Sequence, residues 1–80
     1  MPHYFFNIKK DNHPPDTVGV ELTGIAHARQ EAIRLLGEDL KDHPDTFWDD
    51  EEWQISVSDD NGLILFTLYC SAIRSSAFRG

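Results

Sequence analysis

The stretch that decides the fold is WQISVSDDNGLILFTLYC, residues 53–70, because it predicts two strands and the turn between them. Its first half alternates apolar and polar residues, which is typical of a strand with one buried face. Asn61-Gly62 is a strong signal for a two-residue hairpin loop, since both positions tolerate positive φ. That loop pairs Asp60 with Leu63 and brings the apolar residues of both strands onto one face. The apolar pairs are Trp53 with Cys70, Ile55 with Leu68, and Val57 with Phe66.

Two further strands are predicted near the N-terminus. HYFFNIK, residues 3–9, alternates in the same way, with Tyr4, Phe6 and Ile8 on one face. VGVEL, residues 18–22, reads as a shorter strand. DNHPPD, residues 11–16, is a dense turn signal between them, so a hairpin with a long loop is expected.

A single helix is predicted to follow the second strand. Thr23 is a candidate N-cap, because its hydroxyl can accept a backbone N–H of the first turn. Pro44 disfavours helical geometry at the residue before it, so the helix should end near residues 42–43. The apolar residues at helical spacing on one side are Ile25, Ala28, Ala32, Leu35, Leu36 and Leu40.

These elements predict an α+β fold in the order β-β-α-β-β. The sheet is expected to be four-stranded and mainly antiparallel, with one helix packed on one face. Residues 1–70 would form a single domain and residues 71–80 a C-terminal tail. The fourth strand is apolar on both faces, since Leu65 and Tyr69 point away from the Phe66 side. An interior position is therefore expected for it, which gives the strand order 2-1-4-3.

Composition limits the location and the partners of the chain. It has 80 residues, one cysteine and a net charge of −7. Disulfides within the chain are excluded, and a lone thiol fits a reducing compartment. No segment is long and apolar enough for a signal peptide or a membrane span, so a soluble cytoplasmic protein without membrane contact is expected. Ten acids against one base between Glu38 and Asp60 repel phosphate backbones, so nucleic acids are disfavoured and a basic protein partner is favoured.

The stretch FWDDEEW, residues 47–53, is the most unusual local feature, with three aromatic residues around four carboxylates. Its acids do not match the spacing of a calcium loop, and no nucleophile stands nearby. The alternatives are a solvated connection and a docking site for a basic partner. The docking residues would be Trp48, Asp49, Asp50, Glu51 and Glu52.

Other candidate chemistry is weaker. His27 and Glu31 stand four apart, which supplies two metal ligands where zinc needs three or four. Cys70 is expected to be a buried structural thiol, because it lacks a clear cationic neighbour to lower its pKa. No catalytic residue, metal site or cofactor is therefore assigned, and the chain is expected not to be an enzyme.

The sheet face away from the helix is the one candidate interface. Phe5, Leu65 and Tyr69 are expected there, and a single helix leaves them without cover. An uncovered apolar patch often marks a partner site. The alternative is that the tail, residues 71–80, folds back over these side chains.

Several short motifs together resemble a known family. They are the opening MPHYFFNI, Asp16 in the following turn, GVEL at 19–22, A-x-x-E-A at 28–32 and W-x-I-x-V at 53–57. The resemblance is to a family of short bacterial proteins that is catalogued as a domain of unknown function, and it covers roughly residues 1–70. It implies a fold but no activity. The acidic connection at 44–52 and the His-Pro-Pro-Asp turn depart from the family pattern.

Three functions are compared. The first is a small non-enzymatic interaction protein that forms a homodimer through the uncovered sheet face. The second is an acidic inhibitor or antitoxin-like module that binds a basic protein through the acidic stretch. The third, a metal-responsive or catalytic protein, has the least support.

Overall fold

A computed structural model describes residues 2–9 and 14–76 of the chain. Its elements in chain order are β1 (His3–Ile8), β2 (Val20–Glu21), α1 (Ile25–Asp42), α2 (Pro44–Asp50), β3 (Glu52–Ser58) and β4 (Ile64–Ser71). The four strands form one antiparallel sheet, so the predicted α+β class is confirmed. The short helix α2 is added to the predicted β-β-α-β-β order. Residues 11–13 of the predicted turn lie outside the described residues.

The strand order is β2-β1-β3-β4, so the predicted order 2-1-4-3 is wrong. The interior strands are β1, in its predicted position, and β3, whose Trp53, Ile55 and Val57 are buried while the side chains between them are polar. The apolar residues on both faces of β4 indicate an interior strand, but Leu65 and Tyr69 are 39% and 55% exposed. Apolar content on both faces of β4 therefore does not mark an interior position in this sheet.

The predicted hairpin register holds along most of β3 and β4. It shifts between Val57 and Ser58, where Ser58 pairs with Ile64 and an extra residue enters β4. The predicted two-residue loop, with Asp60 opposite Leu63, is therefore wrong. The confirmed pairs are Trp53 with Cys70, Ile55 with Leu68, and Val57 with Phe66.

The side chain of Asp59 explains the longer turn. Its Oδ1 accepts the backbone N–H of Asn61 at 2.9 Å and that of Leu63 at 3.0 Å. The backbone N–H of Asp59 donates to the Leu63 carbonyl at 3.0 Å, which closes a three-residue loop. Gly62 takes a φ of 81°, which glycine adopts without steric cost. An aspartate ahead of Asn-Gly thus stabilises a wider turn than Asn-Gly alone predicts.

Helix α1 packs on the sheet through small residues. Ala28 and Ala32 are buried, so the helix axis can approach the strands closely. The helix begins one residue later than predicted, after Gly24, and has no side-chain cap. The Thr23 hydroxyl lies 3.3 Å from His27 Nδ1 instead of capping a backbone N–H. Its end at Asp42 is as predicted.

The core lies between α1 and the sheet. Trp53 faces the helix, as expected, and its indole N–H donates to Asp39 Oδ2 at 2.7 Å, which links β3 to the last turns of α1. This bond satisfies the one polar atom of a large buried side chain. The buried core residues are Tyr4, Leu22, Ala28, Ala32, Trp53, Ile55 and Val57.

Candidate interaction surface

The sheet face turned away from α1 is called the outer face here. It is formed by the residues that alternate with the core residues along each strand. Most of its side chains are polar, so the face is less apolar than the sequence predicts. Its members on β1, β3 and β4 are His3, Phe5, Asn7, Glu52, Gln54, Ser56, Ser58, Ile64, Thr67, Tyr69 and Ser71, with Leu65 at the register shift beside Ile64.

The predicted interface residues Phe5 and Tyr69 lie on opposite sides of β3. Phe5 pairs with Ser58 and Tyr69 with Gln54. These two β3 positions are four residues apart, about 13 Å along the strand at roughly 3.3 Å per residue. Ser56 lies between them and forms a hydroxyl–hydroxyl hydrogen bond with Thr67 at 3.2 Å. The two aromatic side chains therefore do not form one continuous apolar patch.

Phe5 is partly covered by the loop that precedes β2. The ring of Phe5 lies beside that of His3, with centroids 5.4 Å apart. A Cβ at Gly19 would lie 2.6 Å from His3 Cδ2 and 2.8 Å from Phe5 Cε2, so the backbone of this glycine rests against both rings. The His3 imidazole also contacts the Val18 carbonyl oxygen, 2.9 Å from its Nε2. The chain itself thus shields the β1 end of the outer face.

Asp16 holds this loop in place. Its Oδ2 accepts the backbone N–H of Phe6 at 3.0 Å, and its Oδ1 accepts those of Val18 and Gly19 at 3.1 and 3.0 Å. Burial raises the pKa of Asp16, but these backbone donors together outweigh it and leave the pKa below its ordinary value of 3.8. The sequence signal for this clamp is Asn7, a polar residue in an aromatic strand, whose Oδ1 accepts the Asp16 backbone N–H at 2.8 Å.

Leu65 and Tyr69 remain exposed on β4. The Tyr69 hydroxyl donates to Glu52 Oε2 at 3.0 Å, and this hydrogen bond raises the pKa of Tyr69. Leu65 is the extra residue at the register shift of β4. It borders an open cleft that is also lined by His3 and Asp59. Of the three predicted interface residues, these two are therefore the ones that stay accessible at the β4 side of the sheet.

Most of the acidic connection at 44–52 forms the helix α2 (Pro44–Asp50) rather than an irregular segment. Pro44 occupies the first turn of α2, where its missing N–H has no helical partner to lose. Phe47 is half-buried and packs against the core, while Trp48 is 52% exposed. Their rings meet edge to face with centroids 5.9 Å apart. The aromatic residues of this stretch thus divide between an anchor and an exposed side chain.

Glu51 turns the chain from α2 into β3. Its φ of 58° is in the left-handed region, and its backbone N–H donates to the Phe47 carbonyl at 2.6 Å. Its carboxylate forms an ion pair with Arg74, with Oε1 and Nε 3.1 Å apart. Arg74 also donates to the Trp48 carbonyl at 2.9 Å. The described part of the C-terminal tail is therefore attached to the acidic stretch; residues 77–80 lie outside the described residues.

The five predicted docking residues are thus in different situations. Glu51 is paired with Arg74, and Glu52 accepts the Tyr69 hydroxyl. Trp48 and Asp49 lie exposed on α2. Asp50 ends α2, and its side chain lies outside the described part of the structure. The accessible portion of the stretch is therefore the face of α2 that carries Trp48 and Asp49.

The predicted two-ligand pair, His27 and Glu31, makes other side-chain contacts on and beside α1. Glu31 binds Arg34 through two oxygens, and this contact lowers the pKa of Glu31. His27, its neighbour on the helix, lies beside Thr23. Cys70 is a half-buried free thiol. Within residues 2–9 and 14–76, no three histidine, cysteine or acidic side chains come close enough together to hold a metal ion.

Comparison with known proteins identifies the family of the chain. A family model described as "Domain of unknown function (DUF6894)" matches residues 3–71, so the chain belongs to this family, as its motifs predict. No curated protein and no solved structure matches it. Among the residues that the structure describes, no helix is long and apolar enough to cross a membrane.

Proposed function

Membership of the DUF6894 family assigns the chain no activity, and we propose that it is a small non-enzymatic protein-interaction module that forms a homodimer through the outer face of its sheet. The observation that carries the proposal is the exposure of Leu65 and Tyr69 on the same strand. Tyrosine is enriched among the residues that supply most of the binding energy in protein interfaces, and Leu65 would add apolar contact area beside it. Phe5 would border the contact, because its own loop already covers part of it.

The size of the chain supports self-association. A domain of 80 residues buries a smaller fraction of its surface than a larger domain does, and its stability margin is correspondingly small. Burial of Tyr69 and Leu65 against a second copy would add to that margin by mass action.

Replacing Leu65 and Tyr69 with serine tests the proposal. We expect the double variant to sediment as a monomer at concentrations where the unaltered protein is a dimer. Val18→Ser is the matched control, because Val18 is also exposed but lies beyond the β1 side of the sheet. A monomeric unaltered protein over the whole concentration range, or a double variant that remains dimeric, would contradict the proposal.

A second candidate function is capture of a basic protein, as an acidic inhibitor or antitoxin-like module would do. The observation that favours it is the half-exposed side chain of Trp48 on α2. Asp45 lies three positions before Trp48, and Asp49 follows it directly. An exposed tryptophan beside carboxylates offers both an apolar contact and charge attraction to lysine or arginine side chains.

The test of this second function uses residues that the fold does not need. We expect Trp48→Ala with Asp49→Asn to lose salt-sensitive binding of an identified basic partner and to keep the melting temperature. Glu51→Gln is a poor test, because it also removes the ion pair with Arg74. Binding that survives both the double substitution and high salt would exclude this function.

We also propose that the protein acts in the bacterial cytoplasm. The support is its single thiol, which forms no disulfide within the chain and suits a reducing compartment. Fractionation of the host cell with an antibody to the protein is the direct test, and recovery from the cell envelope or the medium would contradict it.

A further inference from the structure

We propose that the outer edge of β4 pairs antiparallel with β4 of a second copy, which joins the two sheets into one sheet of eight strands. The inference rests on the proposed self-association and specifies its geometry. The two copies would be joined by hydrogen bonds between strand edges, and their outer faces would lie side by side, so that the outer-face side chain of Tyr69 lies next to its own copy at the contact.

The hydrogen-bond pattern identifies which backbone groups of β4 are unused. The Ala72 N–H donates to the Glu51 carbonyl at 2.9 Å, so this pair is hydrogen-bonded. Hydrogen-bonded pairs alternate along an antiparallel ladder, so the even-numbered residues of β4 bond to β3. The odd-numbered residues Thr67, Tyr69 and Ser71 therefore direct their N–H and C=O groups away from β3.

The opposite strand confirms this alternation. The Lys9 N–H donates to the Gln54 carbonyl at 2.8 Å, so Gln54 faces β1 with its backbone. Its partner in β4, Tyr69, must then face outward. Because β4 is the last strand of the described sheet, no described strand receives these groups.

This edge lacks most of the features that normally prevent edge pairing, and the one it has, the bulge at Leu65, lies near the start of β4. Natural edge strands are short, charged, interrupted by proline or covered. Strand β4 has eight residues with neither a charge nor a proline, and its register is regular after Leu65. The other edge of the sheet is protected, since β2 has two residues and one of them is Glu21.

The self-complementarity of the uncharged edge indicates a second copy as the occupant. Each chain carries a net charge of −7, so most surfaces of two copies repel each other. The uncharged β4 strands can approach with the least repulsion, and antiparallel pairing about a two-fold axis is self-complementary. With Tyr69 opposite its own copy, Thr67 meets Ser71 of the second molecule and Leu68 meets its Cys70. Both contacts join side chains of similar polarity.

Thr67→Pro tests the geometry, because proline removes an N–H that the monomer does not use. Proline is tolerated on an edge strand where the N–H faces solvent. We expect the dimer dissociation constant to rise by at least about 30-fold, since two symmetric hydrogen bonds are lost. Thr67→Ala is the matched control: it loses the same hydroxyl contact to Ser56, keeps the N–H and should remain a dimer.

Amide hydrogen exchange of the unaltered protein tests the same point without a substitution. We expect the amides of Thr67, Tyr69 and Ser71 to become protected as concentration rises, while those of Leu68 and Cys70 are protected throughout. This measurement decides the matter if Thr67→Pro does not fold.

The outcomes separate the inference from the proposed function. Edge pairing would be overturned if the protein is a dimer but the amides of Thr67, Tyr69 and Ser71 stay unprotected, and if Tyr69→Ser disrupts the dimer but Thr67→Pro does not. Self-association through outer-face side chains would then still stand. A protein that is monomeric at every concentration would overturn both.

Discussion

The strand order makes a quantitative prediction about Ile55, the buried residue at the middle of β3. Its side chain has no exposed surface, and the strand is paired on both edges. Ile55→Ala removes three carbon atoms from a site that cannot collapse easily. We expect a loss of about 3–4 kcal/mol in the free energy of unfolding. For 80 residues the total is about 4–12 kcal/mol, so the variant would be marginally folded.

Leu68→Ala provides the matched comparison. Leu68 lies directly opposite Ile55 but on the edge strand, where it is half-buried. We expect a loss of about 1–2 kcal/mol there, because part of the cavity opens to solvent. Urea unfolding followed by tryptophan fluorescence, at one fixed protein concentration, measures both values.

We also expect a large difference in melting temperature between Ile55→Ala and Leu68→Ala. Each kcal/mol lowers the melting temperature of a domain this size by about 4–8 °C. Ile55→Ala should therefore melt about 12–30 °C below the unaltered protein. Equal losses at the two positions, or a greater loss at Leu68, would refute the assignment of β3 to the interior and of β4 to the edge.

Two further predictions concern the loop that covers β1. Gly19→Ala should lower the free energy of unfolding by about 2 kcal/mol or more, because the new Cβ would meet the His3 ring and the φ is +70°. Gly62→Ala, with φ of +81° and open space around it, should cost less in the same urea titration. Asp16→Asn should destabilise the protein by about 1–2 kcal/mol at neutral pH, because the amide group cannot accept the Phe6 N–H as the second carboxylate oxygen does. The pKa of Asp16 in the folded protein lies below 3.8, so its contribution to the free energy of unfolding is present above that pH and disappears as pH falls through the folded pKa. The unaltered protein and Asp16→Asn should therefore become equally stable in acid. A difference in stability that stays constant down to pH about 2 would contradict this.

The pairing within the β3–β4 hairpin was predictable because side-chain alternation has a fixed period. Once Ile55 and Val57 are assigned to the core, Leu68 and Phe66 must face the same side. The loop was not predictable from Asn-Gly alone, because Asp59 offers a competing set of backbone hydrogen bonds.

The strand order depends on contacts that sequence periodicity does not report. Apolar residues on both faces of β4 suggest burial, yet the helices within the described residues cover one face only. The position of β3 follows from its pairing with β1, which matches Phe6 with Val57 and Ile8 with Ile55. This match between distant segments has no local sequence signal.

The candidate surfaces were predictable in part. The exposure of Leu65 and Tyr69 follows from alternation and from the presence of one main helix. The cover over Phe5 could not be predicted, because it depends on how Asp16 binds three backbone N–H groups from two separate segments. Pro44, three residues before FWDDEEW, follows the end of α1 and begins α2, and an interpretation of proline only as a helix stop misses the second role.

The interior position of β3 also has a consequence for the order of folding. Strand β1, at residues 3–8, is separated from its partner β3, at residues 52–58, by β2 and both helices, whereas β3 and β4 are joined by a short loop. Closing a short loop costs less entropy, so we expect the hairpin to form early and β1 to insert late. Destabilising substitutions in the hairpin should then slow refolding, while those in β1 should mainly speed unfolding. Stopped-flow kinetics measure both rates. The opposite pattern would mean that β1 belongs to the folding nucleus. Until β3 is synthesised, β1 has only the two-residue strand β2 to pair with, so we expect its aromatic residues to be the segment of the nascent chain that a chaperone contacts.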